Sequence, residues 1–168
     1  MTDTISRISP MTDARLVRAI ELIWKEADLL DRKDYQNWQQ LYTDDALYIV
    51  PIERDNDDFV NSLNMIYDDA TMRQLRVARM TEGYAIAAID AAQTIRTVSR
   101  FVPVAVSDTE VVVRSAQVIV AFKRGVHDLW AGEVTHAIRL APSGDQIAQK
   151  VIRLIDAEDA VPAAGFLL

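Results

Sequence analysis

From Glu110 to Gly125 the chain reads "EVVVRSAQVIVAFKRG", a run rich in valine and isoleucine that closes on Lys123-Arg124-Gly125. β-Branched residues in such density favour a pleated strand. Three more runs of this kind lie around it: "TIRTVSRFVPVAVS" (Thr94–Ser107), "DLWAGEVTHAIRLAP" (Asp128–Pro142) and "QIAQKVIRLID" (Gln146–Asp156). The joins Ser107-Asp108-Thr109, Lys123-Arg124-Gly125 and Pro142-Ser143-Gly144-Asp145 are turn-forming. Long strands joined by tight turns predict an antiparallel meander. Each run exceeds the usual length of about 5–6 residues, so the sheet must twist and curl. Pro103 inside the first run predicts an edge position or a bulge, because proline cannot donate to a ladder.

Ahead of these strands the pattern is helical. Leu16, Ile20, Ile23, Trp24, Ala27 and Leu30 mark one face of an amphipathic helix of about five turns, with Thr12 or Asp13 as its cap. "DYQNWQQLYT" predicts a short second helix with Tyr35, Trp38, Leu41 and Tyr42 inward. "DDALYIVP" reads as a turn and a brief strand, and "IERDNDDF" (Ile52–Phe59) as an exposed acidic loop. A third helix is predicted over about 61–80, with Ile66, Ala70, Val77 and Met80 as its buried seam. A connector follows, where Gly83 suits a helix end. Residues 1–12 read as a flexible lead-in, 13–168 as one domain, and 157–168 as a C-terminal tail. Helices first and a long sheet afterwards predict an α+β fold: helices packed into a strongly curved, mainly antiparallel sheet, a cone or half-barrel.

Composition narrows the function. The 168 residues contain no cysteine, which excludes disulfides, thiolate zinc sites and iron–sulfur clusters ligated by this chain. A net charge of −7 argues against a phosphate-binding surface, so no nucleic-acid partner is expected. No apolar run approaches the roughly 20 residues that span a bilayer, and no secretory signal is visible, so a cytoplasmic location is expected. Two histidines, His127 and His136, are nine residues apart in or beside one strand. That is about 30 Å, and the odd separation turns the rings to opposite faces, so they cannot share a metal within one chain. Ser99 and Ser115 lie in strands with no evident base, and no nucleophile elbow or phosphate-cradling glycine loop occurs.

Carboxylates are the remaining catalytic option. Asp28, Asp31, Asp44 and Asp45 lie near helix ends and could serve as a pocket base, or simply as solvated or capping residues. In "YDDATMRQLRVARM" (Tyr67–Met80), Asp68 and Asp69 precede Arg73, Arg76 and Arg79. The spacing places Asp69, Arg73 and Arg76 along one helix face, with acids toward the N-terminus and bases toward the C-terminus. Three guanidiniums exceed what two local acids need, and the surplus can bind carboxylates of another chain. The competing reading is a solvated face. Phe166, Leu167 and Leu168 are apolar enough to dock on their own sheet or on a neighbour.

The chain resembles the β (small) subunit of aromatic-ring-hydroxylating dioxygenases, the Rieske non-haem iron oxygenases. The resemblance rests on "EADLLDRKDYQNWQQLYTDDALYIVP" (Glu26–Pro51), "IYDDATMRQLRVARM" (Ile66–Met80) and the block from "TVSRFVPV" through "VIVAFKRG" to "DLWAGE". Departures occur at Arg100, where the family often has asparagine, in "VTHAIR" after "WAGE", and in the tail "AVPAAGFLL". The resemblance implies the cone fold shared with nuclear transport factor 2 and ketosteroid isomerase. It implies a hexamer of three α and three β subunits, with β chains also meeting one another as a trimer. A Rieske [2Fe–2S] cluster and mononuclear Fe(II) would sit in the α subunit, fed with NADH electrons through a reductase or ferredoxin. This chain would hold no cofactor and no catalytic residue; Asp68, Asp69, Arg73, Arg76, Arg79, Phe166, Leu167 and Leu168 become subunit-interface candidates. The reaction implied is conversion of an arene to a cis-dihydrodiol, or ring monooxygenation. Two other classes fit the residues: a free-standing cone enzyme (isomerase or dehydratase) with a pocket carboxylate, and an accessory small-molecule-binding module.

Overall fold

The computed structural model describes residues 12–82, 91–159 and 165–168. The lead-in as far as residue 11, the Gly83 helix end with most of the connector, and residues 160–164 of the tail lie outside the described residues. Helix α1 (Ala14–Asp31) and the single turn-and-a-half of α2 (Tyr35–Gln39) come first, then strands β1 (Tyr42–Pro51) and β2 (Asn64–Asp68), helix α3 (Ala70–Glu82), and strands β3 (Gln93–Val106), β4 (Glu110–Lys123), β5 (Val126–Arg139) and β6 (Gln146–Leu154). The six strands form one sheet in the order β2-β1-β6-β5-β4-β3. It is a curved, open sheet with the helices on its concave side, as the strand lengths predicted.

The meander of β3 to β6 is antiparallel throughout. β1 joins it by lying parallel to β6, and β2 pairs antiparallel with β1. Arg124 and Gly125, with φ of 51° and 80°, make the two-residue turn between β4 and β5. Positive φ at both central positions matches the right-handed twist of the flanking strands. Pro103 satisfies both readings at once. β3 is the edge strand, and its register with β4 shifts between Ser99 and Val102 and again between Pro103 and Ala105. Arg100, inside the first shift, has φ of 56°.

α1 begins at Asp13, whose carboxylate accepts from the Arg15 and Leu16 amides. Its buried face (Leu16, Ala19, Ile20, Ile23, Ala27, Leu30) packs on inward residues of the sheet such as Val111, Val113, Ile119, Val134, Ile138 and Ile152. Trp24 departs from the predicted face. It is 53% exposed, meets Phe101 edge-on at 5.7 Å and donates its indole N–H to the Val98 carbonyl at 3.2 Å. Tyr35, Trp38, Leu41 and Tyr42 are buried, as expected. The helix holding them is shorter than predicted, and Tyr42 already belongs to β1, a ten-residue strand in place of a brief one. Pairing on both sides, to β2 and to β6, holds that strand extended where local propensity is mixed.

The helix predicted over 61–80 is corrected in its first half. Residues 64–68 are β2, paired to Tyr48–Pro51, and the helix starts only at Ala70. Periodicity placed Ile66 and Val77 on one seam, but Ile66 reaches the core from a strand. An available sheet edge on β1 outweighs helical propensity over five residues.

Candidate functional site

The centre of the cone is a buried acid that the sequence reading left unmarked. Glu26 lies on the apolar face of α1 and is 2% exposed. Its Oε1 accepts from the Tyr42 hydroxyl at 2.6 Å, the Trp38 indole at 3.1 Å and Lys150 Nζ at 2.9 Å. Its Oε2 faces His136 Nε2 at 3.0 Å. Tyr42 comes from β1, His136 from β5 and Lys150 from β6, so the acid links three strands to α1. A signal for it was present. Glu26 falls one helical step after Leu22 and Ile23 and before Leu30, where an apolar residue would be expected. His136 alternates with Val134 and Ile138, and Lys150 precedes two buried residues, Val151 and Ile152.

The electrostatics follow from burial and pairing. Burial alone would raise the pKa of Glu26, but Lys150, His136 and Tyr42 outweigh it and hold the carboxyl below its ordinary value. Burial lowers the pKa of Lys150, with Glu26 offsetting part of that. Burial likewise lowers the pKa of His136 against the pull of Glu26. His136 Nδ1 is buried and has no hydrogen-bond partner among the described residues. A second ring proton would therefore be stranded, so the neutral Nε2–H tautomer donating to Glu26 is the form the geometry supports. Burial raises the pKa of Tyr42 and Tyr48, so both phenols remain hydrogen-bond donors.

The tail enters this same interior. Phe166, Leu167 and Leu168 are 8%, 3% and 5% exposed. Burying each such side chain stabilises the fold by at most about 1.5–3 kcal/mol. Tyr48 donates to the Leu168 oxygen at 2.9 Å and accepts the Leu168 amide at 3.0 Å. Lys150 donates to the same oxygen at 2.9 Å, and Arg96 donates to the Leu167 carbonyl.

The pocket carboxylates proposed from sequence are not brought together here. Asp28 is exposed and pairs with Arg32 at 2.9 Å. Asp31 accepts from Arg96 and from the Thr94 hydroxyl at 2.9 Å, at the rim of the tail site. Asp44 is exposed on β1. Asp45 forms a two-point pair with Arg139 at 2.8 Å, and with Thr43 this lowers its pKa to about 2.

The charged stretch around Asp68 is rearranged from its predicted pairing. Asp68 ends β2, is buried, and receives Arg76 through Nε at 2.6 Å and Nη2 at 3.0 Å. Asp69 caps α3, accepting the Met72 amide at 2.9 Å, and does not pair with Arg73. Because the helix begins at Ala70, the Asp69 side chain folds back on the first turn. Arg73 is buried, donates to the carbonyls of Ala46 and Thr43, and lies 4.8 Å over the Tyr42 ring. Of the interface candidates, Asp68, Arg73 and the three tail residues are turned inward. Asp69 and Arg79 are exposed, and Arg76 is half-buried.

A curved sheet wrapped around an N-terminal helix, with its interior acid fully engaged and its tail folded inside, defines a member of the cone-shaped α+β class. A family described as ring hydroxylating beta subunit matches residues 25–158, and the chain belongs to it. The small oxygenase component of the p-cumate 2,3-dioxygenase system of Pseudomonas putida is 31% identical over 135 residues, covering 77% of this chain and 73% of the relative. The beta subunit of benzoate 1,2-dioxygenase from Burkholderia mallei superposes with a TM-score of 0.75 at 19% identity, covering 92% of this chain and 97% of that one. An NTF2-like protein with a cystatin-like fold from Novosphingobium aromaticivorans gives 0.62 at 14% identity, covering 93% of each chain. The fold is thus the NTF2-like, cystatin-like cone that the resemblance implied.

Proposed function

We propose that this chain is the structural small subunit of a multicomponent aromatic-ring-hydroxylating dioxygenase, which adds both atoms of O₂ to an arene to give a cis-dihydrodiol. Family membership supports the class. The observation that carries the structural role is the state of Glu26: both oxygens are engaged by four donors, which suits a counter-ion and not a free base. The chain's donors do not fit the iron groups of such an enzyme. There is no cysteine, His136 is committed to Glu26, and His127 lies exposed on the other face of β5. In this proposal the Rieske cluster and mononuclear iron sit in a larger partner subunit, three copies of each chain form the oxygenase, and NADH electrons arrive through a reductase or ferredoxin in the cytoplasm. Among the described residues no helix is long and apolar enough to cross a membrane. A row of exposed side chains, Ile95, Val120 and Leu129, adjacent across β3, β4 and β5, supports burial of this chain in an assembly.

The test is reconstitution. A large component of such a dioxygenase is assayed for cis-dihydrodiol formation with and without this chain, and the complex is weighed by native mass spectrometry. The expected result is activity in a three-plus-three complex with iron only in the large chain. Stoichiometric iron in the isolated small chain, or oxygenation by it alone, would overturn the proposal.

A further inference from the structure

Phe166, Leu167 and Leu168 belong to no helix or strand, yet all three are buried. Four residues from four different strands receive them. Tyr48 of β1 donates to and accepts from Leu168, and Lys150 of β6 donates to its oxygen. Arg96 of β3 donates to the Leu167 carbonyl and lies 5.9 Å from the Phe166 ring centre. Trp130 of β5 meets that ring edge-on at 5.5 Å.

Each receiving polar group is also held by something other than the tail. Lys150 is fixed by Glu26, itself gripped by Trp38, Tyr42 and His136. Arg96 is fixed by Asp31 and by the Thr94 hydroxyl at 3.0 Å. Tyr48 packs edge-on against Trp38 at 5.9 Å. Main-chain hydrogen-bond partners in a fixed array, beside apolar and aromatic walls, are the features by which proteins recognise short peptide segments. We infer that the interior end of the cone is a preorganised binding site for a short apolar peptide, and that Phe166-Leu167-Leu168 is its ligand supplied by the same chain.

The inference stands apart from any oxygenase assembly and is tested on the full chain after folding. Residues 160–164 are replaced by a protease site, the purified protein is cut, and the small fragment is followed by native mass spectrometry and tryptophan fluorescence. The expected result is a folded cut chain that either retains the fragment or loses it on dialysis and recaptures added Gly-Phe-Leu-Leu saturably, with the melting temperature restored. Recapture should be at least tenfold weaker for Gly-Ala-Leu-Gly, which lacks the ring that meets Trp130 and the last apolar side chain. Unfolding on cutting, loss of the fragment with no response to added peptide, or equal responses to both peptides would each overturn the inference.

Discussion

At the scale of single residues, the decisive group is Glu26. Removing one partner of a buried ion pair leaves the other charge without compensation, which costs about 3–5 kcal/mol. Glu26→Gln keeps the shape and deletes the charge opposite Lys150, so urea denaturation should show a loss of that order. A loss below about 1 kcal/mol, the worth of a surface pair, would show the network to be dispensable. His136 adds a pH dependence whose sign is fixed by its depressed pKa. The unfolded chain takes up a proton near pH 6.5 that the folded chain refuses, so stability is full above that pH and declines as pH falls below it. Glu26, also depressed, extends the decline below pH 4.5. Denaturation midpoints measured from pH 8 to 5 should fall on acidification, and His136→Gln, which retains a donor for Glu26, should flatten that slope. Arg100 is the converse case, a non-glycine residue at φ of 56° in a bulge. Left-handed geometry costs an ordinary L-residue about 1–2 kcal/mol, and asparagine tolerates it better. Arg100→Asn should raise the melting temperature; a fall would mean that the contact of Arg100 with Glu133 at 3.6 Å outweighs the backbone term.

At the scale of elements, the close pairing of β5 with β6 is the most exacting feature. A Cβ on Gly132 would lie 2.5 Å from the Arg153 carbonyl oxygen, a backbone atom that cannot turn aside. Gly132→Ala should therefore part these strands locally, at a cost of about 1–3 kcal/mol. Hydrogen exchange should report it as faster exchange at the Gly132–Leu154 and Val134–Ile152 pairs. Unchanged protection there would mean that the sheet flexes more easily than its register suggests. The β2–α3 junction shows a different balance. Ile66 to Met80 carries helix-like spacing from end to end, and only the free edge of β1 distinguishes its first residues as a strand. Asp68 and Asp69 thereby take separate tasks, one anchoring Arg76 and the other capping α3.

At the scale of the whole molecule, the proposed assembly places its demands on what remains at the surface. Arg79 is exposed in the last turn of α3. Arg79→Glu should weaken association with the large subunit at low salt while leaving the isolated chain's unfolding curve unchanged, as an exposed charge far from the core does. Equal assembly of variant and wild type, compared by sedimentation, would return that helix face to solvent.

The amino-acid sequence by itself determined the meander, its turns, the edge or bulge at Pro103, the amphipathic α1 with a cap at Thr12 or Asp13, and the family. Each of these is written locally, in β-branched runs, turn residues, helical spacing and motif order. Glu26, His136 and Lys150 lie at positions 26, 136 and 150, and nothing within a turn or a strand of any one of them announces the others. Only the closure of the sheet around α1 brings them within hydrogen-bonding distance, and burial then turns three ordinary charged or polar side chains into one pinned network. The same closure decided that the apolar tail faces inward, because the interior offered it Trp130, Tyr48 and Lys150 where solvent offered nothing apolar.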